Sequence, residues 1–298
     1  MTDPRRIVVF GDVNDDVVVV PMGDIRPDTD TPSSIRHRAG GSAANAAAWL
    51  GSLGAKVDFV GIVSRDDVER HSALLAAVGV TPHLAGHDEL PTGTIVVIVD
   101  GEQRTMLTER GANAKLSPDA VTDELLAGAA LLHFTGYSLF GRTDQGALRN
   151  LFSRAEACAV AVSVDPGSAG FIADFGADNF LDVVRGASII FPSLEEGRIL
   201  TGLSEPEEIA ARLAEAFPIV ALTLDAGGVV VAEPGRGVTR VSAIAADIVD
   251  PTGAGDAFAA GFLAALVRGD GGVEATRAGA RSGALAVATM GGRPQPCS

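Results

Sequence analysis

The chain has 298 residues, 47% of them hydrophobic, and a formal net charge of −15. That size and apolar content suit one large α/β domain with at most a small appendage, and the negative charge argues against nucleic acid or an anionic membrane as the main partner. Met1-Thr2-Asp3-Pro4-Arg5-Arg6 leads into only a short apolar run rather than a signal-peptide core, and no segment reaches the roughly 18 apolar residues of a membrane span. Cys158 and Cys297 lie far apart with no paired spacing, so a reduced, cytoplasmic chain without a zinc site is expected.

In chain order, Ile7-Val8-Val9-Phe10 reads as a short buried strand. Gly11-Asp12-Val13-Asn14-Asp15-Asp16 follows at its end, before a second strand over Val17 to Val20. Polar groups just past a strand stand where ligands of open α/β sheets bind, although such a cluster also makes ordinary Asn and Asp turns. Pro21 to Arg38, rich in Pro, Asp and Thr, predicts a loop with at most short strands. Gly40-Gly41-Ser42-Ala43-Ala44-Asn45 opens a helix over Ala43 to Leu53. Its glycines let a ligand approach the backbone, or simply form a tight loop before an Ala-rich packing helix. Thr94 to Val99 and Arg104 to Thr108 flank Asp100-Gly101-Glu102-Gln103, and Asp-Gly between apolar runs predicts a hairpin. With Val17 to Val20 and a strand near Ser34 to Arg38, this hairpin predicts a small sheet separate from the main one. Such a sheet beside a cleft would act as a lid.

The remainder alternates strand and helix as a parallel sheet requires. Strands are predicted over Ala129 to Phe134, Val160 to Asp165, Ser188 to Phe191 and Ile219 to Leu224, with a hairpin of Val229 to Glu233 and Val238 to Val241. Helices are predicted over Gln145 to Ala157, Asn179 to Arg185, Leu194 to Leu200, Pro206 to Ala216 and Val273 to Met290. Right-handed crossovers would stack the strands into one sheet covered on both faces. With no internal repeat or low-complexity linker, one continuous domain over residues 1–298 is expected, its lid drawn from about 14–40 and 90–110. The five histidines show no metal spacing, and there is neither a Ser-His-Asp triad nor a Walker lysine.

Asp250-Pro251-Thr252-Gly253-Ala254-Gly255-Asp256-Ala257-Phe258 runs into a strongly apolar helical stretch that ends at Val267. Small residues at a helix mouth expose first-turn N–H groups that suit a phosphate or a developing phosphoryl charge. A carboxylate in the same turn would repel phosphate, but it makes sense as the acceptor of a proton from an attacking hydroxyl. Taken alone, Asp256 also reads as a helix-capping residue.

This string closely resembles the C-terminal signature of the PfkB family, the ribokinase-like carbohydrate and nucleoside kinases. Gly40-Gly41 with Asn45 resembles the family's N-terminal Gly-Gly-x-x-x-Asn. The resemblance implies an α/β ribokinase-like fold, a central mostly parallel sheet with helices on both faces and a small β lid. It also implies an ATP-dependent kinase acting on a hydroxyl of a small sugar or sugar-like molecule, with Mg²⁺. A local anion hole and Mg²⁺ are compatible with a negative surface. By resemblance, Asp256 is the catalytic base and Gly253, Ala254 and Gly255 form the anion hole; Asn14 and Asp16 hold acceptor hydroxyls; Gly40, Gly41 and Asn45 contact the acceptor. Thr223, Gly228 and Gly255 belong to the nucleotide site, with the last helix flanking the adenine and Gly291-Gly292 closing that pocket. Glu196 organises Mg²⁺ through water. The carbonyls around Asp250 and Thr252 resemble a monovalent-cation site of some relatives, which would take K⁺. Gly111-Ala112-Asn113-Ala114 resembles a segment lining the acceptor pocket.

The chain departs from the pattern at Ser42, where ribokinase has Lys, at Ser193, where Asn is usual, and at Asp225, where Gly is usual. Ser193 and Glu196 also have the spacing of a capping box. Ser42 fits a nucleoside acceptor of the adenosine type, for which Phe134, Tyr137 and Trp49 are the candidate base-stacking residues. A non-catalytic ligand-binding protein on a kinase scaffold is the alternative of another class, and an intact Asp256 counts against it. In the resembled family such a lid often forms a dimer interface, so a homodimer is expected through it. His37, near the lid, is a further candidate for acceptor contact.

Overall fold

The structure, a computed structural model, describes residues 6–100, 103–139 and 144–294. The chain begins with β1 (Arg6–Phe10), leaves the main sheet as β2 (Asn14–Pro21) and β3 (Ser33–Gly40), and returns through α1 (Ser42–Ser52). Then come β4 (Val57–Ser64), α2 (Val68–Ala76) and β5 (Val80–His87), followed by β6 (Gly93–Asp100) and β7 (Gln103–Glu109). Next are α3 (Asp123–Leu126), β8 (Ala129–Thr135), α4 (Gln145–Ala157), β9 (Ala161–Asp165), α5 (Ala169–Phe175) and α6 (Ala177–Val183). The chain ends with β10 (Ile189–Ile190), α7 (Leu194–Thr201), α8 (Pro206–Leu213), β11 (Ile219–Thr223), β12 (Val229–Glu233), β13 (Gly237–Val241), α9 (Ala254–Arg268) and α10 (Gly272–Val287).

The strands form two sheets. The large one has the order β13-β12-β11-β10-β9-β8-β1-β4-β5 and is parallel except for the antiparallel β11-β12-β13 end. The small one has the order β3-β2-β6-β7. Alternation along β1 explains why the large sheet is covered twice, because successive side chains leave a strand on opposite faces. Ile7 and Val9 pack with Ala44, Ala47, Phe258 and Phe262 of α1 and α9, whereas Val8 and Phe10 pack with Leu148, Leu151, Phe180 and Ile209 of α4, α6 and α8. Residues Ala257 to Ala265 of α9 are all buried, as a helix apolar on every side must be.

The separate small sheet contains Val18 and Val97 as directly paired residues, as the hairpin and the early strand predicted. The strand expected near Ser34 to Arg38 is present as β3, which is eight residues long and paired along all of β2, longer than the short strands expected between Pro21 and Arg38. The β3 residues Arg36 and His37 are exposed and Arg38 is half-buried; without apolar alternation, the strand is held by backbone pairing to β2. The predicted Asp100-Gly101 turn has its tip, 101–102, outside the described residues, and Cys297 lies outside them too. No helix among the described residues is long and apolar enough to cross a membrane.

Candidate active site

The parallel strands β1, β8, β9 and β11 all end at one edge of the large sheet, where their following residues line a single cavity of about 830 Å³. Its walls include Asp12 and Asn14 after β1, Tyr137 and Ser138 after β8, Asp165 at the end of β9, Glu196 on α7, and Thr223 at the end of β11. The small sheet closes the other side. Asp16 of β2, Ile95 and Val97 of β6 and Arg104, Met106 and Thr108 of β7 all stand on the sheet face that lines the cavity. This period-two arrangement puts His37, paired with Val17, on the opposite face, so the acceptor contact expected of it is not formed.

At the floor, Gly253 caps α9 in the left-handed region (φ 76°), and Ala254, Gly255 and Asp256 make its first turn. The Ala254 amide donates to the Pro251 carbonyl at 3.3 Å. The amides of Gly255 and Asp256 are first-turn donors for which the helix offers no acceptor. A Cβ on Gly255 would meet nothing within 4 Å, so its open side belongs to the cavity. Gly253, Ala254 and Gly255, the residues expected to form an anion hole, all line the cavity together with Asp256.

Two donors from α1 meet the Asp256 carboxylate, Ser42 Oγ at 2.6 Å and Asn45 Nδ2 at 3.0 Å. Burial raises its pKa from 3.8 to about 7; the two hydrogen bonds oppose the shift and the nearby Asp12 and Asp16 add to it. A carboxylate poised near neutrality suits a general base. Ser42, read as a departure from the family pattern, therefore has a direct contact with the proposed base. Arg293 Nε donates to Asn45 Oδ1 at 3.3 Å, which fixes the amide so that its NH₂ faces Asp256.

Asn14 and Asp16 both line the cavity with Gly41 and Asn45. Asn14 is buried; its Nδ2 donates to Asp12 and its Oδ1 accepts from Asn113 Nδ2 at 2.8 Å. Asp16 Oδ1 is buried and has no hydrogen-bond partner among the described residues. Burial lifts the Asp16 pKa to about 6 against the pull of Arg293. An acid left waiting for a donor is what a sugar hydroxyl would satisfy. Gly40, by contrast, is not on the wall. A Cβ there would lie 2.1 Å from Asp16 Oδ2, so Gly40 makes room for Asp16 instead of touching a ligand.

Asp12 was not singled out in the sequence, yet it organises this end. Its carboxylate accepts from the Ser42 and Ala43 amides at 2.9 and 3.1 Å, and from Asn14 Nδ2 and Thr135 Oγ1, each at 3.2 Å. It holds the start of α1 from the loop after β1, which no local capping pattern reveals.

On the opposite wall, Ser193 and Glu196 form the capping box, with Ser193 N donating to Glu196 Oε2 at 2.8 Å and Glu196 N to Ser193 Oγ at 3.3 Å. Glu196 also lines the cavity together with Asp165, another residue the sequence reading passed over. Burial raises both pKa values, and Glu196 pushes Asp165 further up. Two buried oxygen acids that resist ionising together suit a hard divalent cation, which prefers one or two carboxylates completed by water and phosphate. No cluster of three or more metal-ligating side chains is present among the described residues.

Thr223 lines the cavity, whereas Gly228 does not: a Cβ on it would lie 2.2 Å from the Val241 carbonyl, so it packs under β13. Asp225 takes φ 48°, the conformation a glycine would supply. Thr252 lines the cavity; Asp250 does not. The Asp250 carboxylate accepts from Arg104 Nη2 at 3.1 Å, Thr252 N at 3.0 Å and Gly291 N at 3.0 Å, while Arg104 Nη1 donates to Thr252 Oγ1 at 3.0 Å. Arg104 thereby fastens the small sheet to the α9 loop. Gly291 and Gly292, expected near the nucleotide pocket, pack against that loop, Asn45 and Trp49. Of the candidate stacking aromatics, Phe134 is a core residue and Trp49 donates to Gly292 O. Tyr137 is on the cavity wall, edge-to-face with Phe171 at 5.8 Å.

The pfkB family carbohydrate kinase model matches residues 4–296. The chain is 31% identical over 301 residues to an ATP-dependent ribose-1-phosphate kinase of Halopiger xanaduensis, covering 98% of this chain and 95% of that protein. It is 28% identical over 280 residues to the bifunctional protein HldE of Shewanella amazonensis, covering 90% of this chain but spanning only 56% of that protein. Among solved structures, adenosine kinase from Sinorhizobium meliloti superposes with a TM-score of 0.88 at 25% identity, covering 98% of this chain and 96% of that one. A ribokinase II from E. coli in complex with ATP and Mg²⁺ shares the fold, with a TM-score of 0.84 at 23% identity over 97% of this chain and 94% of that one. With its family match running almost end to end and a carboxylate set beside helix-mouth amides, the chain belongs to the pfkB family of carbohydrate kinases and is a phosphotransferase with an alcohol group as acceptor.

Proposed function

We propose that this chain transfers the γ-phosphoryl group of ATP to a hydroxyl of a small sugar or sugar-like acceptor. The observation that carries this reading is the Asp256 carboxylate, at the first turn of α9, sharing one cavity with Asn14 and the unpartnered Asp16 Oδ1. Asn14 and Asp16 orient the acceptor, Asp256 takes the hydroxyl proton, and the Gly255 and Asp256 amides meet the charge on the transferring group. Asp165 and Glu196 would hold Mg²⁺ through water, and the ion when bound neutralises phosphate charge. Thr223 lies on the nucleotide side of the cavity. The carbonyls of Asp250 and Thr252 accept no hydrogen bond among the described residues and would be the place for K⁺.

The small sheet would serve as a lid that excludes water during transfer. Its outward face carries Val17, Val19, Val96 and Ile98, with Ile35 57% and Leu107 55% exposed. A second copy of the chain is the partner proposed for it. A nucleoside acceptor is the second reading, favoured by the Tyr137–Phe171 pair on the wall, which offers a base a stacking surface.

The test is ATP-dependent ADP release with a panel of pentoses, hexoses and nucleosides, run on the native chain and on Asp16→Ala. Losing a partner to a substrate hydroxyl costs about 1–3 kcal/mol, so KM for the acceptor should rise ~10- to 100-fold with KM for ATP little changed. An equal effect on both substrates would remove Asp16 from the acceptor site. ADP release with nucleosides alone would select the second reading.

A further inference from the structure

The two arginines on the cavity wall differ in one respect. Arg104 is neutralised by Asp250 at 3.1 Å. Arg110, half-buried at the end of β7, has no carboxylate within ion-pair distance among the described residues. Its one described side-chain bond is from Nη2 to the Tyr137 carbonyl at 3.2 Å. A guanidinium carries five N–H donors, so most of its donors remain available to the cavity. Burial pulls its pKa down, which means that the charge is already partly desolvated before any ligand arrives. A solvated surface arginine would carry no such penalty.

Position narrows the function of that charge. The Arg110 backbone lies beside the acceptor amides, because a Cβ on Gly93 would meet Asn14 Oδ1, Asn113 Nδ2 and the Arg110 carbonyl all within 3 Å. The carboxylate Arg110 feels is Asp12, and Asp12 already accepts four hydrogen bonds from Ser42, Ala43, Asn14 and Thr135. Asp12 leads through Ser42 to Asp256, so Arg110 and the base are separated by a short chain of contacts across the acceptor space. Arg110 thus stands on the side of the cavity that holds Asp12, Asn14 and Asn113.

We propose that Arg110 is an anion subsite for the acceptor: the molecule phosphorylated here carries a phosphate or carboxylate group that pairs with Arg110 while a hydroxyl elsewhere on it meets Asp256. This rests on the kinase reading above and narrows its acceptor to anionic sugar derivatives. A planar guanidinium takes such oxyanions in two parallel charge-assisted hydrogen bonds, and neither a neutral sugar nor a nucleoside brings the negative charge that strengthens them. Asp16 then reads the hydroxyls and Arg110 the anion.

The test measures binding by calorimetry and turnover by ADP release, for the native chain, Arg110→Gln and Arg110→Lys. The probes are ribose, ribose 1-phosphate, gluconate, adenosine and inorganic phosphate. The native chain should bind ribose 1-phosphate or gluconate ~10- to 100-fold more tightly than ribose, and whichever of the two wins separates a phosphate from a carboxylate. Arg110→Gln should collapse that preference, and Arg110→Lys should restore part of it. Millimolar inorganic phosphate should compete with the favoured probe on the native chain, a result that needs no variant to fold. Equal binding of ribose or adenosine, equal loss on every probe in Arg110→Gln, or no binding of any anion would overturn the subsite. Anion-selective binding with no ADP release would keep the subsite and overturn the transfer reading; ADP release with neutral acceptors alone would do the reverse.

Discussion

Asp256→Asn is expected to lower kcat by ~10²–10⁴, the range that a positioned general base contributes. The fold should survive, because Asn fills the same volume and the Ser42 hydroxyl can turn to suit it. Thermal stability at pH 8 should stay level or rise. The sign follows from the direction of the shift: the Asp256 pKa is raised from 3.8 to about 7, so the fold disfavours the ionised form, and above pH 7 an uncharged Asn removes that burden. The same shift sets the acid limb of the native rate. Asp256 accepts a proton only when ionised, so kcat/KM should fall as pH drops through about 7. Ser42→Ala deletes a bond that favours the charged form and should move this limb to higher pH. Near-native turnover by Asp256→Asn on the true acceptor would show that another group takes the proton.

Gly255→Ala is the second large effect. A Cβ there meets nothing within 4 Å of protein, and Ala is the better residue in a helix, so stability should hold. The methyl would occupy the space in front of the Gly255 and Asp256 amides, and losing such donors costs ~10²–10³ in kcat. Gly253→Ala should behave in the opposite way. Gly253 has φ 76° and a Cβ would stand 2.6 Å from Gly292 Cα, so the fold itself should lose about 1–3 kcal/mol or more. Denaturation and steady-state rates on both variants separate the two. If Gly255→Ala kept full kcat, the transferring charge would not be held at that turn.

Much of this was readable from local pattern. The helix α4 begins and ends where its apolar spacing and the Asp144 cap put it, and the β12–β13 hairpin follows its turn glycines. The signature strings brought Asp256, Asn14, Asp16, Gly41, Asn45, Thr223 and Glu196 to one cavity. What escaped reading depends on contacts distant in sequence. Asp12 caps a helix that starts some thirty residues later, Asp165 matters through Glu196, and Arg293 acts on Asn45 from the far end of the chain. The α5 helix supplies Phe171 to the wall, but it is seven residues long with no side-chain cap, too short for periodicity to reveal. Gly40 and Gly228 resembled ligand-contacting glycines, yet both serve close packing, a distinction that only the neighbours' positions reveal.

Transfer by this route requires an acceptor hydroxyl to reach Asp256 inside the closed cavity. The measurement that tests it most directly is a crystal structure with Mg²⁺, a non-hydrolysable ATP analogue and the acceptor that turns over fastest. It should put one acceptor hydroxyl about 2.6–3.2 Å from the Asp256 carboxylate, with other polar groups of the acceptor on Asn14 and Asp16 and the γ-phosphate facing the Gly255 amide. An acceptor bound outside this cavity, or one whose reacting hydroxyl faces a different base, would contradict it.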